Sequence, residues 1–202
     1  MVGCAVCGSL AGSPVCARCR RSLAPGRRFL SPGGLLVSAA FAHHDAGRVL
    51  VHRLKYQAIP AAAEVLAAGM AGAVPPSATA LVPVPRARLR RWRYGIDPAR
   101  WLAVAVGRHT GLPVIPALAA GWWWPRHAAR GDAARSRVLV RPLARADPGW
   151  VLVDDVATSG ATLDTAAAAF GGGVSLGLVA TAPSSMRGVG RPSGASTSRE
   201  VV

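Results

Sequence analysis

The sequence predicts an α/β fold: a mostly parallel sheet with flanking helices, preceded by a small cysteine-bearing segment. Three observations carry this. Apolar runs of strand length alternate with stretches of helical periodicity, the pattern of parallel α/β sheets. All four cysteines lie in the first 19 of 202 residues, as Cys4-x-x-Cys7 and Cys16-x-x-Cys19. The apolar run Val151–Val153 ends in two adjacent acids, Asp154 and Asp155, followed by a loop of small and hydroxyl residues.

Taken in order, residues 1–24 are too short to have a core of their own. Paired thiols with two-residue gaps can reach one ion, and two such pairs complete a tetrahedral tetrathiolate site. Eight residues separate the pairs, with Gly8, Gly12 and Pro14 supplying turns. Cys4, Cys7, Cys16 and Cys19 are therefore expected to hold a structural Zn²⁺, with disulfides, a redox pair or free thiols as the alternatives. The run "LLVSAAFAH" is expected to be a strand. Beyond it, Val49, Leu50 and Leu54, then Val65, Leu66 and Met70, recur at helical spacing, with Pro60 separating two helices. Ala80–Val84 reads as a buried strand breaking at prolines into a basic loop. Asp97 with Pro98 reads as N-cap and first residue of a helix that Gly111 closes. "LPVIPAL" is a candidate strand, and 121–148 reads as irregular and arginine-dense. "GWVLVDDVATSGATLDTAAAAF" reads as strand, loop, then helix from about Ala161 to Phe170, and "VSLGLVATA" as a further buried strand. The expected organisation is a four-cysteine segment at 1–24, an α/β domain at 35–182 and a disordered Ser/Gly/Pro-rich tail at 183–202.

The composition, 51% hydrophobic with 23 Gly and 16 Pro, suits a chain that forms a core. Its formal net charge of +15 comes almost wholly from arginine, Lys55 being the only lysine, and it favours polyanions such as nucleic acid or phosphorylated small molecules. A solvated arginine-rich surface explains the same charge. No apolar stretch reaches the ~18–20 residues of a membrane helix, and the N-terminus lacks the order of a secretory signal. The expected location is the cytoplasm.

The acidic pair carries the chemistry. Ligands of open α/β sheets bind beyond the carboxyl ends of the strands, where Asp154 and Asp155 fall. Ala157, Thr158, Ser159, Gly160, Ala161 and Thr162 are small enough for the backbone to curl around a phosphate at a helix N-terminus. Carboxylates beside that phosphate suit a vicinal diol, because each can accept a hydroxyl proton. Phosphate next to diol describes a ribose 5-phosphate.

The order apolar run, Asp-Asp, apolar, x, Thr, Thr/Ser, Gly, x, Thr is similar to the 5-phosphoribosyl-1-pyrophosphate (PRPP) signature of type I phosphoribosyltransferases, with Ser159 in place of a common Thr. Together with the cysteine pairs, it makes the chain resemble the ComF family over roughly residues 4–182. "HRLKYQ", with Lys55 and Tyr56, resembles that family's K-Y segment, and "LVPVPRARLRRWRYGIDPARW" its P-V-P to R-R-G segment. The chain departs from the family at Tyr94, at Asp97-Pro98 and across "WPRHAARGDAARSRVLV", which keeps Arg135 and Arg137. The resemblance implies a type I phosphoribosyltransferase-like fold with PRPP and Mg²⁺ as ligands. It places Asp154 and Asp155 on the ribose, residues 157–162 on the 5-phosphate, and Val84, Pro85 and Arg86 on the pyrophosphate. Arg88, Arg90, Arg91 and Arg93 could add to that last site. The acceptor of a phosphoribosyl transfer is not indicated. The resemblance equally implies an accessory role in uptake of transforming DNA, with single-stranded DNA or a helicase as partner; a scaffold whose zinc segment mediates protein contacts is a further alternative. His43, His44, His52, His109 and His127 are scattered and read as structural. Trp122, Trp123 and Trp124 suit either a packed interface or stacking on a base.

Overall fold

The structure, a computed structural model, describes residues 1–86, 95–120, 140–174 and 176–185. Its centre is a five-stranded sheet in the order β3 (Arg28–Leu30), β4 (Leu36–Ala42), β9 (Leu176–Ala182), β8 (Trp150–Val156), β5 (Ala80–Pro83). The last four strands run parallel, and β3 lies antiparallel on β4. Two short antiparallel ribbons accompany it: β1 (Val2–Gly3) with β2 (Leu10–Ala11), and β6 (Leu118–Ala120) with β7 (Val140–Pro142).

The central strands are near-continuous apolar runs because both faces are covered. Leu81, Val151, Val153 and Leu178 pack on one side against Leu50 and Leu54 of α2 (Asp45–Gln57), Leu66 and Met70 of α3 (Pro60–Ala71), and Leu102 and Val106 of α4 (Pro98–Thr110). Val82, Leu152 and Val179 face the other way, onto Leu163, Ala166 and Ala167 of α5 (Ala161–Ala169). The helix signals act where expected. Asp97 caps α4 by accepting from the Arg100 N–H, and Gly111 follows the helix at φ 74°. Pro60 opens α3, as expected of a residue tolerated at the first helical position.

Two elements differ from expectation. "LPVIPAL" contributes an isolated parallel bridge of Val114 on Leu81, and strand pairing resumes only at Leu118. Pro113 and Pro116 explain this, because proline has no N–H for a ladder. Strand β3 was unforeseen; it belongs to an edge that starts upstream, where Ala42 N–H donates to Ala24 O, Gly26 N–H to Ala40 O and Ala39 N–H to Arg27 O. Gly26 is needed there because a Cβ would collide with the Ala39 carbonyl oxygen. The expected tail lies outside the described residues from 186 onward.

Connections set the site. From β5 the chain passes through α4, on the α2/α3 face, outward to Val114 beyond the sheet edge. From β8 it passes through α5, on the opposite face, inward to β9. The two connections diverge, so a crevice opens beyond the carboxyl ends of β5 and β8, the topological switch point of the sheet.

Candidate functional sites: a thiol cluster and an acidic crevice

The four cysteine sulfurs lie within 4.8 Å of one another and form no disulfide. Cys4 and Cys7 follow β1, while Cys16 and Cys19 flank the start of α1 (Ala17–Arg21). The Cys7–Cys16 sulfur distance is 3.8 Å; a tetrahedron with metal–sulfur arms of about 2.3 Å has edges of roughly that length. Burial pushes the Cys4 thiol up, but backbone N–H groups of Cys16, Cys7 and Val6 outweigh it and hold it at about 6. Burial pushes Cys19 up to about 12. Hydrogen bonding with Ser9 lowers Cys7. Such a set could hold a metal ion such as zinc, which binds thiolates. The cluster is not isolated. Cys4, Val15 and Cys19 pack with Val65 of α3, and Ala5 belongs to the main core.

The second site is the crevice. Asp154 is half-buried and Asp155 buried at the end of β8. The Asp155 N–H donates to Asp154 Oδ1 at 2.7 Å, and Lys55 Nζ from α2 meets Asp155 Oδ1 at 2.9 Å. Among the described residues, the Oδ2 atoms of both acids have no partner. Burial, then the Asp155 charge beside it, pushes the Asp154 carboxyl up to about 8. Next to the pair, His43 donates its backbone N–H to Ala182 O, and its Nδ1 lies 2.8 Å from Oγ1 of the fully buried Thr181. Burial and the Lys55 and Arg48 cations hold its imidazole below the ordinary value.

The loop after β8 is anchored at both ends. Ala157 N–H donates to Thr181 O, and Asp164 N–H to Gly160 O. Thr158 and Ser159 are exposed, and among the described residues the N–H groups of Thr158, Ser159 and Gly160 meet no protein acceptor. Ala161 N–H is 3.4 Å from Ser159 Oγ, and Thr162 stands in the first turn of α5, whose leading N–H groups have no intrahelical acceptor. Gly160 adopts φ 86°, and a Cβ there would stand 2.7 Å from Ser31 Cβ. Ser31 is buried and donates to Asp164 Oδ1, while Gly33 N–H donates to Asp164 Oδ2 at 2.9 Å. The β3–β4 turn thus buttresses the loop.

The structure therefore brings Asp154, Asp155 and residues 157–162 to one strand end, with Val84 beside them. Val84 N–H is committed to Val153 O and Pro85 has no N–H, so Arg86 is the residue of this segment whose side chain carries donors. Arg88, Arg90, Arg91, Arg93 and Tyr94, the tryptophans 122–124, His127, Arg135 and Arg137 lie outside the described residues. His109 pairs with Glu64 at 2.7 Å across α3 and α4. A cavity of about 500 Å³ lies against those helices, lined in part by Glu64, Asp97, Arg100, Trp101 and Arg108. Sequence reasoning missed the roles of Lys55, His43, Thr181, Ser31 and Asp164. Only Lys55, as the sole lysine, carried a signal.

No helix among the described residues is long and apolar enough to cross a membrane. No protein-family model matches the chain, and no curated protein matches it either.

Proposed function

We propose that this chain is a ComF-like protein of type I phosphoribosyltransferase character, which binds PRPP or a related ribose 5-phosphate in the crevice and uses Zn²⁺ on its cysteines as a structural clamp. The observation that carries the reading is a set of groups at one strand end that meet no partner among the described residues. Two carboxylate Oδ2 atoms, able to accept hydroxyl protons, stand beside three backbone N–H groups at a helix N-terminus, able to donate to a phosphate.

The residues divide the work by chemistry. The loop 157–162 and its hydroxyls hold the 5-phosphate, and this remote binding energy orients the sugar. Asp155 and Asp154 accept from the ribose hydroxyls and face the positive charge that grows at C1 as the diphosphate leaves. Arg86, past the end of β5, is the local donor for the diphosphate. Mg²⁺ bound with the ligand would neutralise part of that charge.

The test is calorimetric titration of PRPP with Mg²⁺ into the full, zinc-loaded chain, beside Asp154→Asn and Asp155→Asn. Each variant is expected to weaken binding roughly ten- to hundred-fold, the range of a hydrogen bond to a charged group. Absence of binding by folded wild type overturns the reading.

A second reading draws on the exposed Arg18, Arg20 and Arg21 of α1 beside the cysteine cluster, and on the net charge of +15. These favour a polyanion such as single-stranded DNA.

A further inference from the structure

Two adjacent carboxylates at a buried strand end cannot both ionise cheaply, so the surroundings decide which keeps the proton. Here they are asymmetric. Lys55 stands 2.9 Å from one oxygen of Asp155, with both side chains largely buried, at 19% and 11% exposure. Among the described residues no cation of comparable proximity meets Asp154, whose Oδ1 instead accepts the Asp155 N–H. A lysine offers a single point charge where an arginine would grip both oxygens, so Asp155 Oδ2 stays open.

The placement of Lys55 is built into the chain. It lies in the last turn of α2, and Ala58 ends that helix in the left-handed region at φ 50°, a conformation costly for a residue with a Cβ. Ile59 is then extended, as the residue before Pro60 must be, and α3 begins. This tight break fixes where the last turn of α2 sits over the carboxyl ends of the sheet.

We infer that Lys55 is a positioning residue that fixes Asp155 as the anion of the pair and leaves the shared proton on Asp154. Among the described residues, the other charged or titratable groups near the pair are His43 from the end of β4, on which Arg48 of α2 acts, and Asp97 at the start of α4; Arg86 follows the neighbouring strand end. His43, held below its ordinary value, is neutral near pH 7 and does not replace Lys55 as counter-ion. Asp97 adds repulsion that favours a protonated Asp154.

For the crevice as a ligand site the inference rests on the ribose-phosphate reading: Asp154 would give its proton to the solvent as the carboxylate engages a hydroxyl. The charge division itself needs no ligand, so two experiments separate the readings. The first is urea unfolding of the zinc-loaded full chain from pH 5 to 9. A carboxyl raised in the folded state makes that state bind the extra proton, so stability falls as pH rises from about 4 through about 8. In Lys55→Gln the decline extends about one pH unit higher than in wild type, since an attractive charge is lost. In Asp155→Asn, which keeps the shape and removes the repulsion, it ends at lower pH. Lys55→Arg restores the wild-type profile. Profiles for Lys55→Gln and Asp155→Asn that parallel wild type overturn the inference. Should Lys55→Gln not fold, a decline that ends at lower pH in Asp155→Asn, beside a Lys55→Arg profile that matches wild type, still decides it.

The second is PRPP with Mg²⁺ titrated at pH 7 in two buffers of different ionisation heat. Wild type is expected to release close to one proton, and Lys55→Gln to bind about ten-fold more weakly at pH 7 but nearly equally at pH 9. A merely structural role would weaken binding equally at every pH. If wild type binds no PRPP while the unfolding profiles shift as stated, the ribose-phosphate reading fails and the role of Lys55 stands.

Discussion

Gly160→Ala is the substitution whose cost the structure specifies best. Gly160 sits at φ 86° between the loop that follows β8 and α5. Any L-residue there incurs roughly 1 kcal/mol of backbone strain. The new methyl would also stand 2.7 Å from Ser31 Cβ, and Ser31 cannot easily yield. It is 5% exposed, donates to Asp164 and accepts the Leu35 N–H at 2.9 Å. Overpacking of that kind costs about 1–3 kcal/mol. The sum is about 2–4 kcal/mol, a fall in Tm of roughly 5–15 °C for a chain of this size. The control is Gly111→Ala, at φ 74° but with no atom within 4 Å, which incurs only the backbone term. Differential scanning calorimetry on zinc-loaded protein compares the two. Because the displaced loop also presents the Thr158, Ser159 and Gly160 N–H groups, Gly160→Ala should weaken PRPP more than Gly111→Ala does. Equal Tm losses for both variants would refute the argument that Ser31 buttresses this loop.

Two further outcomes follow from the other end of the molecule. Chelation at neutral pH, or Cys7→Ser, is expected to remove about one metal ion per chain by elemental analysis and to lower Tm, since the energy of such a site is folding energy. The loss should reach the main core, because Ala5 and Val65 join it to the cluster; an unchanged Tm would show that the thiols hold nothing. Under the polyanion reading, affinity for single-stranded DNA should fall steeply with salt, about 0.7 log units per log unit of salt for each phosphate contacted. Replacing Arg20 and Arg21 by Ala should flatten that slope, and a slope unaffected by them would move the contact elsewhere.

The sequence alone determined what is encoded within a few residues. The cysteine pairs need only their two-residue gaps, α4 only Asp97, Pro98 and Gly111, and the strands β8 and β9 only their unbroken apolar runs. Asp154 and Asp155 were legible as candidate site residues for the same reason, since the strand, the acids and the loop are contiguous. Tertiary structure decided everything that depends on which strand lies beside which. The order β3-β4-β9-β8-β5 brings Lys55 to Asp155, His43 to Thr181 and Ser31 to Asp164, residues up to 138 positions apart. It also commits Val84 N–H to Val153, which removes a donor from the segment proposed for a diphosphate. Hydrophobic periodicity says that a strand is buried on both faces but carries no record of its neighbours. The charge of one carboxylate depends on those neighbours, so which acid holds the proton is a property of the fold.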